Sequence, residues 1–318
     1  MMTTATSAAP VSAETSPRTP PQRPRRRFRR EGLVKAMFLA PAALYILLFF
    51  GYPVVKNLVM SFQEYTTKTF FTGEAPWVGL ANYLTVVNSG LFWPAMLNTA
   101  LFTVGSIAGQ FVIGLALAVF FRRKFPLSGF LRAMLLLPWL LPLIVASATW
   151  RSILDQDSGI LNEFLTSVGL SAVPWLNSPD VALIAVILVN IWIGIPFNVT
   201  ILYGGLQDIP EELYEAASLD GATGWKSFWH ITLPNLRPVI NVVLVLGVVY
   251  TLKVIDIILG LTNGGPANAT QTIAIRSYQS SFVDFEFGVG AAFSNILILI
   301  SLVFAIFYLR GNRKQVDE

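Results

Sequence analysis

Seven polar or amphipathic side chains stand inside otherwise apolar stretches. Asn190, Trp192 and Asn198 share one stretch, Tyr250, Lys253 and Asp256 a second, and Asn295 lies in a third. Polar groups are costly in hydrocarbon, so they face a bundle interior or a cavity there. Amides and carboxylates hydrogen-bond hydroxyls, and aromatic faces cover C–H surfaces, so this set suits a sugar. The same residues also fit a second role, because amides within spans hydrogen-bond one helix to another. Lys253 and Asp256 are three apart, so they share a helix face and suit a structural ion pair near the outer boundary. Pro196 can open a local gap in the helix hydrogen bonds or merely kink the helix.

Covalent chemistry finds little support. The chain has no cysteine, which removes thiolate nucleophiles, disulfides and Cys-based metal sites. Its single histidine, His230, excludes any site that needs two. No GxxxxGK[ST] phosphate loop, HExxH or GxSxG motif occurs. The expectation is a chain without catalytic residues, metal or cofactor of its own.

Composition places these residues in a membrane. Of 318 residues, 54% are hydrophobic and only 13% charged, against about a quarter charged in soluble domains. Mean hydropathy is +0.62. A bilayer core of about 30 Å takes roughly 20 apolar residues as a helix. Segments 33–55, 97–121, 132–153, 181–202, 238–261 and 287–309 meet that length, so an all-α protein of six spans is predicted. Pro41, Pro53, Pro138, Pro142 and Pro196 are tolerable in packed membrane helices.

Residues 1–32, rich in Pro, Ser, Thr, Ala and Arg, offer too little apolar surface to fold and read as a disordered basic tail. The run RPRRRFRR (23–30) loosely resembles a twin-arginine signal, but no small-residue cleavage site follows its span-length apolar stretch. The pI near 9.4 reflects basic residues at membrane flanks, not a nucleic-acid surface. The N-terminal arginines, Arg122-Arg123-Lys124 and Arg310, Arg313 and Lys314 fall on one side of a six-span chain. The positive-inside rule makes that side cytoplasmic, with both termini inside and a short tail at 311–318. Segments 56–96, 154–180 and 262–286 are then external. The stretch GILNEFLTSVGL (159–170) puts Ile160, Leu161, Phe164, Leu165 and Val168 on one helical face, fit to lie along the outer membrane surface. Gly264-Gly265-Pro266 forms a turn flanked by Arg276, Asp284 and Glu286, either a docking site for a secreted binding protein or a plain exposed loop.

One cytoplasmic connection, 203–237, breaks the basic pattern. It carries Asp208, Glu211, Glu212, Glu215 and Asp220 against Lys226 and Arg237. Asp208 and Glu211 have capping-box-like spacing, with Pro210 in the first turn. Leu213, Tyr214, Ala217 and Ser218 form a stripe. Asp220-Gly221 stops the helix, and Thr223 caps a second short helix bearing Trp225, Phe228 and Trp229. Pro238 then opens the fifth span. Acidic and aromatic groups that lipid does not need point to a protein partner.

The full stretch EAASLDGATGWKSFWHITLP (215–234) resembles the EAA motif of permeases of ATP-binding cassette importers. The match falls on Glu215, Ala216, Ala217, Asp220, Gly221, Ala222, Phe228, Ile231, Leu233 and Pro234. LTNGGPANATQT (261–272), WVGLANY (77–83), GILN and GLQDIPEELYEAA (205–217) are similar to the carbohydrate branch, the MalF-like and glycerol-phosphate permease A-like subunits. The similarity covers about 33–310, without the extra spans and external domain of the larger members. It implies a six-span MetI-type permease domain in a bacterial inner membrane, with loop 203–237 as a coupling helix. It also implies a second permease, two copies of a cytoplasmic ATPase carrying ATP and Mg, and an extracytoplasmic sugar-binding protein. A glycerol-3-phosphate or polyol permease is an alternative, though it would want more cavity cations than Lys253. A gradient-driven secondary transporter is another, disfavoured by the coupling loop and by the near isolation of Asp256 as an intramembrane carboxylate. A membrane-embedded enzyme lacks a clustered acid, base or metal set.

Overall fold

A computed structural model of the chain describes residues 27–123 and 125–316. Most of the predicted tail 1–32, Lys124 of the basic loop and the last two residues of the C-terminal tail lie outside them. The chain divides into two compact units, 1–54 and 55–318.

In the first unit, α1 (Arg27–Ile46) starts ahead of the predicted position 33 and runs through Pro41. A π-helical turn, Leu47–Gly51, follows and leads into α2 (Tyr52–Met60), most of which belongs to the second unit. The widened turn sits just before Pro53, whose ring would otherwise press on the carbonyl four residues back. Residues 35–50 are exposed throughout, as a lipid- or partner-facing helix would be.

The second unit holds α3 (Thr67–Thr72), α4 (Ala81–Asn88), α5 (Phe92–Phe121), α6 (Ser128–Leu135), α7 (Leu137–Leu140) and α8 (Leu143–Ile153). It continues with α9 (Ile160–Ser167), α10 (Pro179–Gln207), α11 (Glu211–Leu219) and α12 (Gly224–Ser227). After a π turn at Phe228–Thr232 come α13 (Leu233–Leu252), α14 (Asp256–Leu261), α15 (Ile273–Phe282) and α16 (Phe287–Val316). Among the described residues, five helices are long and apolar enough to cross a membrane, six if the bent segment 128–153 counts as one span. An all-α membrane architecture is thus observed.

Two predicted spans differ from a straight rod. The third is bent by 98° between α7 and α8. Leu141 and Pro142 adopt extended backbone (ψ 136° and 132°). Pro142 biases Leu141 away from helix, and its fixed φ starts the next helix cleanly. The fifth does not begin at Pro238. One continuous helical segment runs from Gly224 to Leu252, with Pro238 inside it. It then breaks at residues 253–255 before α14. Pro196, by contrast, leaves α10 continuous.

α5 and α10 make the most extensive helix pair. Small residues allow their backbones to approach. A Cβ on Gly114 would stand 2.6 Å from Asn198 Cβ, while one on Gly109 would collide with Ile191 and one on Gly194 with Gln110. Gln110 uses the proximity to donate to the Asn190 carbonyl (2.9 Å). Around the pair, buried Phe102, Ala185, Val186 and Val189 join Ile257, Ile258 and Ile275 in one core, while Ala118, Leu202, Leu206 and Leu236 form another.

The connecting segments are ordered. In the predicted surface helix, Ile160, Phe164 and Val168 are exposed. Leu161 packs inward. Asn162 is buried, accepting from Val173 N and Trp175 Nε1. The Asp155 carboxylate, held below the usual range by hydrogen bonds from the Ser158 backbone and hydroxyl and the Asp157 backbone, shapes the preceding turn. Segment 262–272 is not a plain exposed loop. Thr262 bonds Thr270, Asn98 donates to the Asn268 and Gln271 carbonyls, and Thr99 accepts from Ile273 N.

Gly114→Val should force α5 and α10 apart and lower stability by about 1–3 kcal/mol. Gly204→Ala, at a helical position with open space around it, should be neutral or stabilising. Thermal unfolding of the two variants in detergent checks the contrast.

Candidate functional site

The breaks in the third and fifth spans line a common cavity of about 510 Å³. Pro138, Trp139, Leu141 and Leu143 come from the α7–α8 bend. Thr251, Lys253, Val254 and Asp256 come from the end of α13 and the start of α14, and α5 and α10 supply Gln110, Asn190, Gly194 and Phe197. Irregular backbone at membrane depth is tolerated where it lines a cavity.

Four of the seven predicted residues meet here: Asn190, Tyr250, Lys253 and Asp256. Asn190 is 4% exposed and its Nδ2 has no hydrogen-bond partner, an unpaired buried donor on a residue of the cavity wall. Tyr250, Phe197 and Trp139 form an aromatic run, with ring centroids 5.8 Å apart at 90° and 6.1 Å apart at 64°. Lys253 Nζ stands 5.0 Å above the Tyr250 ring. The predicted Lys253–Asp256 ion pair is absent among the described residues. The helix break puts Lys253 at the C-cap of α13 and Asp256 at the first residue of α14, so they share no face.

The other three stand elsewhere. Trp192 packs edge-on against Trp150 (5.4 Å) in the core. Asn198 donates to the Gly194 carbonyl at the α5–α10 contact. Asn295 accepts from Asn57 Nδ2 (2.8 Å) and donates to the Tyr83 hydroxyl (3.2 Å), which also bonds Ser61. The Asn198 bond stays within α10, whereas Asn295 is a helix-to-helix link of the kind that the sequence left open. Sequence reasoning missed Gln110, Trp139 and Phe197. A lone amide in a long apolar helix could have flagged Gln110.

The acidic connection folds as a displayed helix followed by an anchored one. α11 starts at Pro210, which serves as N-cap without a side-chain bond, so the Asp208–Glu211 capping box does not form. It ends in a Schellman motif: Ala222 N donates to the Ala217 carbonyl (2.9 Å) and Gly221 N to that of Ser218 (3.1 Å). Gly221 has φ +73°. Thr223 starts the next helix, but this is the first turn of the Gly224–Leu252 rod, not a separate helix. The π turn at 228–232 precedes Pro234 as the first precedes Pro53.

The motif splits by exposure. Glu215, Ala216, Asp220 and Gly221 are exposed, and Ala217, Ala222, Phe228, Ile231, Leu233 and Pro234 are half-buried. Trp225, 71% exposed, stacks on Phe228 (5.9 Å) and meets Trp229. His230 Nδ1 donates to the Lys226 carbonyl (3.0 Å). Tyr214 holds α11 from within: its hydroxyl bonds Thr232 (3.0 Å), and the Arg122 guanidinium lies 3.8 Å over its ring.

Tyr214→Ala should therefore loosen α11 selectively. Amide exchange across 211–219 is expected to rise, with 233–252 unchanged, from the loss of about 1–3 kcal/mol of local contacts.

Residues 110–315 match the family described as "Binding-protein-dependent transport system inner membrane component". The trehalose/maltose transport system permease protein MalF of Thermococcus litoralis is 35% identical over 288 residues, 91% of this chain and 96% of that protein. The sulfoquinovosyl glycerol transport system permease protein SmoG of Agrobacterium fabrum is 33% identical over 280 residues, 88% and 90% of the two chains. Among solved structures, a bacterial ABC transporter for import of the acidic polysaccharide alginate shares the fold, with TM-score 0.78 and 24% identity over 90% of this chain and 97% of its own. The chain belongs to the binding-protein-dependent transport system inner membrane components, the multi-pass permease subunits of ATP-binding cassette importers.

Proposed function

We propose that this chain is one permease half of an ATP-driven importer for a neutral sugar or oligosaccharide. The observation that carries the reading is the pairing of an exposed α11, closed by the Gly221 Schellman turn, with a cavity that ends the very rod α11 leads into. α11 with its aromatic neighbours serves as the docking surface for a cytoplasmic ATPase, through Glu215, Ala216, Ala217, Asp220 and Gly221. Phe228, Leu233 and Pro234 root it in the bundle. A second permease completes the pathway, and two copies of the ATPase supply ATP and Mg. An extracytoplasmic binding protein delivers the sugar. Both termini are cytoplasmic, in a bacterial inner membrane.

The cavity favours sugar over a phosphorylated polyol. It offers one cation, Lys253, against one carboxylate, Asp256, where a phosphate would want several cations. Asn190 and Gln110 supply amides, and Trp139, Phe197 and Tyr250 supply faces. The names of the relatives, a trehalose/maltose and a sulfoquinovosyl glycerol permease, agree with a glycoside substrate. Alternating access then tilts the two permeases about this site.

Two tests separate docking from substrate. A tagged wild-type chain purified from detergent-solubilised membranes should bring down an ATPase. Gly221→Asp should lose it or leave hydrolysis uncoupled, because a side chain in the left-handed conformation costs about 1–2 kcal/mol and misplaces the turn. No ATPase with an intact wild-type chain would sink the coupling reading in favour of a gradient-driven carrier. Asn190→Leu, tested by labelled trehalose or maltose uptake in vesicles, should raise the half-saturating concentration by about tenfold. An unchanged value removes Asn190 from the pathway.

A further inference from the structure

Two further cavities lie at the end of the bundle that carries α11. One, of about 260 Å³, is walled by Arg122, Arg123, Arg132, Tyr203, Gln207 and Glu211. Three guanidinium groups meet a single carboxylate there, and none of the three forms an ion pair among the described residues. Two are instead laid on aromatic rings, Arg122 on Tyr214 and Arg132 on Tyr203 (4.6 Å). Stacking fixes each guanidinium plane; Arg132 Nε donates to the Ser128 carbonyl (3.3 Å), and the terminal Nη groups remain for an oxyanion.

The other, of about 350 Å³, is an apolar groove between α6 and α10, lined by Gly129, Ala133, Leu136, Val199 and Thr200. Arg132 and Tyr203 line both cavities, so the cationic chamber and the groove lie side by side. From Tyr203 back to Pro196 the groove follows about 10 Å of α10. α6 presents Phe130 (61% exposed) and Met134 (47%) beside it, the mark of a helix lying at a lipid interface.

We propose that this composite cavity binds one anionic phospholipid, its phosphate among Arg122, Arg123 and Arg132 and an acyl chain in the groove along α10. The pairing of a cationic pocket with a contiguous apolar trough fits an amphiphile better than a free anion, which has no use for the trough. Basic pockets between membrane helices recognise such headgroups. Because Arg122 also covers Tyr214, the bound phosphate sits one side chain from α11. Lipid charge thereby reaches the segment proposed to dock the ATPase. That consequence rests on the docking reading; the lipid site does not.

The test uses the transporter purified with whatever subunits accompany it, exchanged into detergent containing phosphatidylglycerol or phosphatidylcholine and read by native mass spectrometry. Arg122 is left intact, since it supports Tyr214. Wild type should retain phosphatidylglycerol and release phosphatidylcholine. Arg123→Gln and Arg132→Gln should each weaken retention by about fivefold. Gly129→Leu, at a position with open space around its Cα, should fold normally and abolish retention by filling the groove. Equal retention of the two lipids, or no loss in the arginine variants, would overturn the proposal. If inorganic phosphate alone displaces the lipid while Gly129→Leu has no effect, the cavity is a free-anion site and the lipid assignment fails. Crosslinking of Gly129→Cys to the second permease in native membranes would equally overturn it, since protein would then fill the groove. Each readout is scored without reference to ATP hydrolysis, so failure here leaves the coupling reading to its own test.

Discussion

Hydrocarbon offers no hydrophobic force between helices, so close backbone contact must hold them together. In this chain that contact is concentrated where α5 crosses α10. Gly109, Gly114 and Gly194 remove the side chains that would keep the two axes apart. Gln110 can then reach the Asn190 carbonyl, a bond that only this spacing permits. Within the second unit the neighbours lean on the pair: α13 and α14 pack on it, and the three-helix sector of α4, α15 and α16 is tied to α5 through Thr99 and Asn98.

The same contact shapes the cavity. With α5 and α10 fixed, α7–α8 and α13–α14 close the remaining sides, and both are interrupted at the depth where they do so. The interruptions leave side chains of different helices converging on one volume, which an unbroken bundle would have filled with interlocked apolar groups. Asn190 illustrates the effect. Its backbone carbonyl is spoken for by Gln110, while its side-chain Nδ2 is left buried and unsatisfied beside the cavity wall.

Hydropathy made the spans legible, because length and apolarity alone decide what can cross a bilayer. Both ends of α11 were readable too, from Pro210 and from Asp220-Gly221. The bend at Leu141-Pro142 had its signal in proline, but the size of the bend depends on α10 and α14 beside it. The break after Leu252 had no signal, since Lys253-Val254-Ile255 contains neither glycine nor proline. The predicted ion pair failed for that reason alone. Among the candidate residues, Asn190 and Trp192 differ by about 200° around the helix, so one faces the cavity and the other Trp150. Both read alike as polar-faced residues in a span, and no local pattern fixes which way the helix turns. Trp139 and Phe197 were silent, because an aromatic side chain in an apolar run looks the same in a core and in a cavity wall.

The continuity from Gly224 to Leu252 has a mechanical consequence. Its 29 residues make a bar of about 44 Å, with exposed Trp225 at one end and the cavity at the other. Near the cavity end its backbone rests against α5, where Gly247 lies under Ile107. Its middle is held as well: Leu236 and Val243 are buried in one core with Ala118, Leu202 and Leu206. With contacts along its length the bar has no single fulcrum, so a push at the tryptophans reaches Leu252 only by carrying α5 and α10 with it.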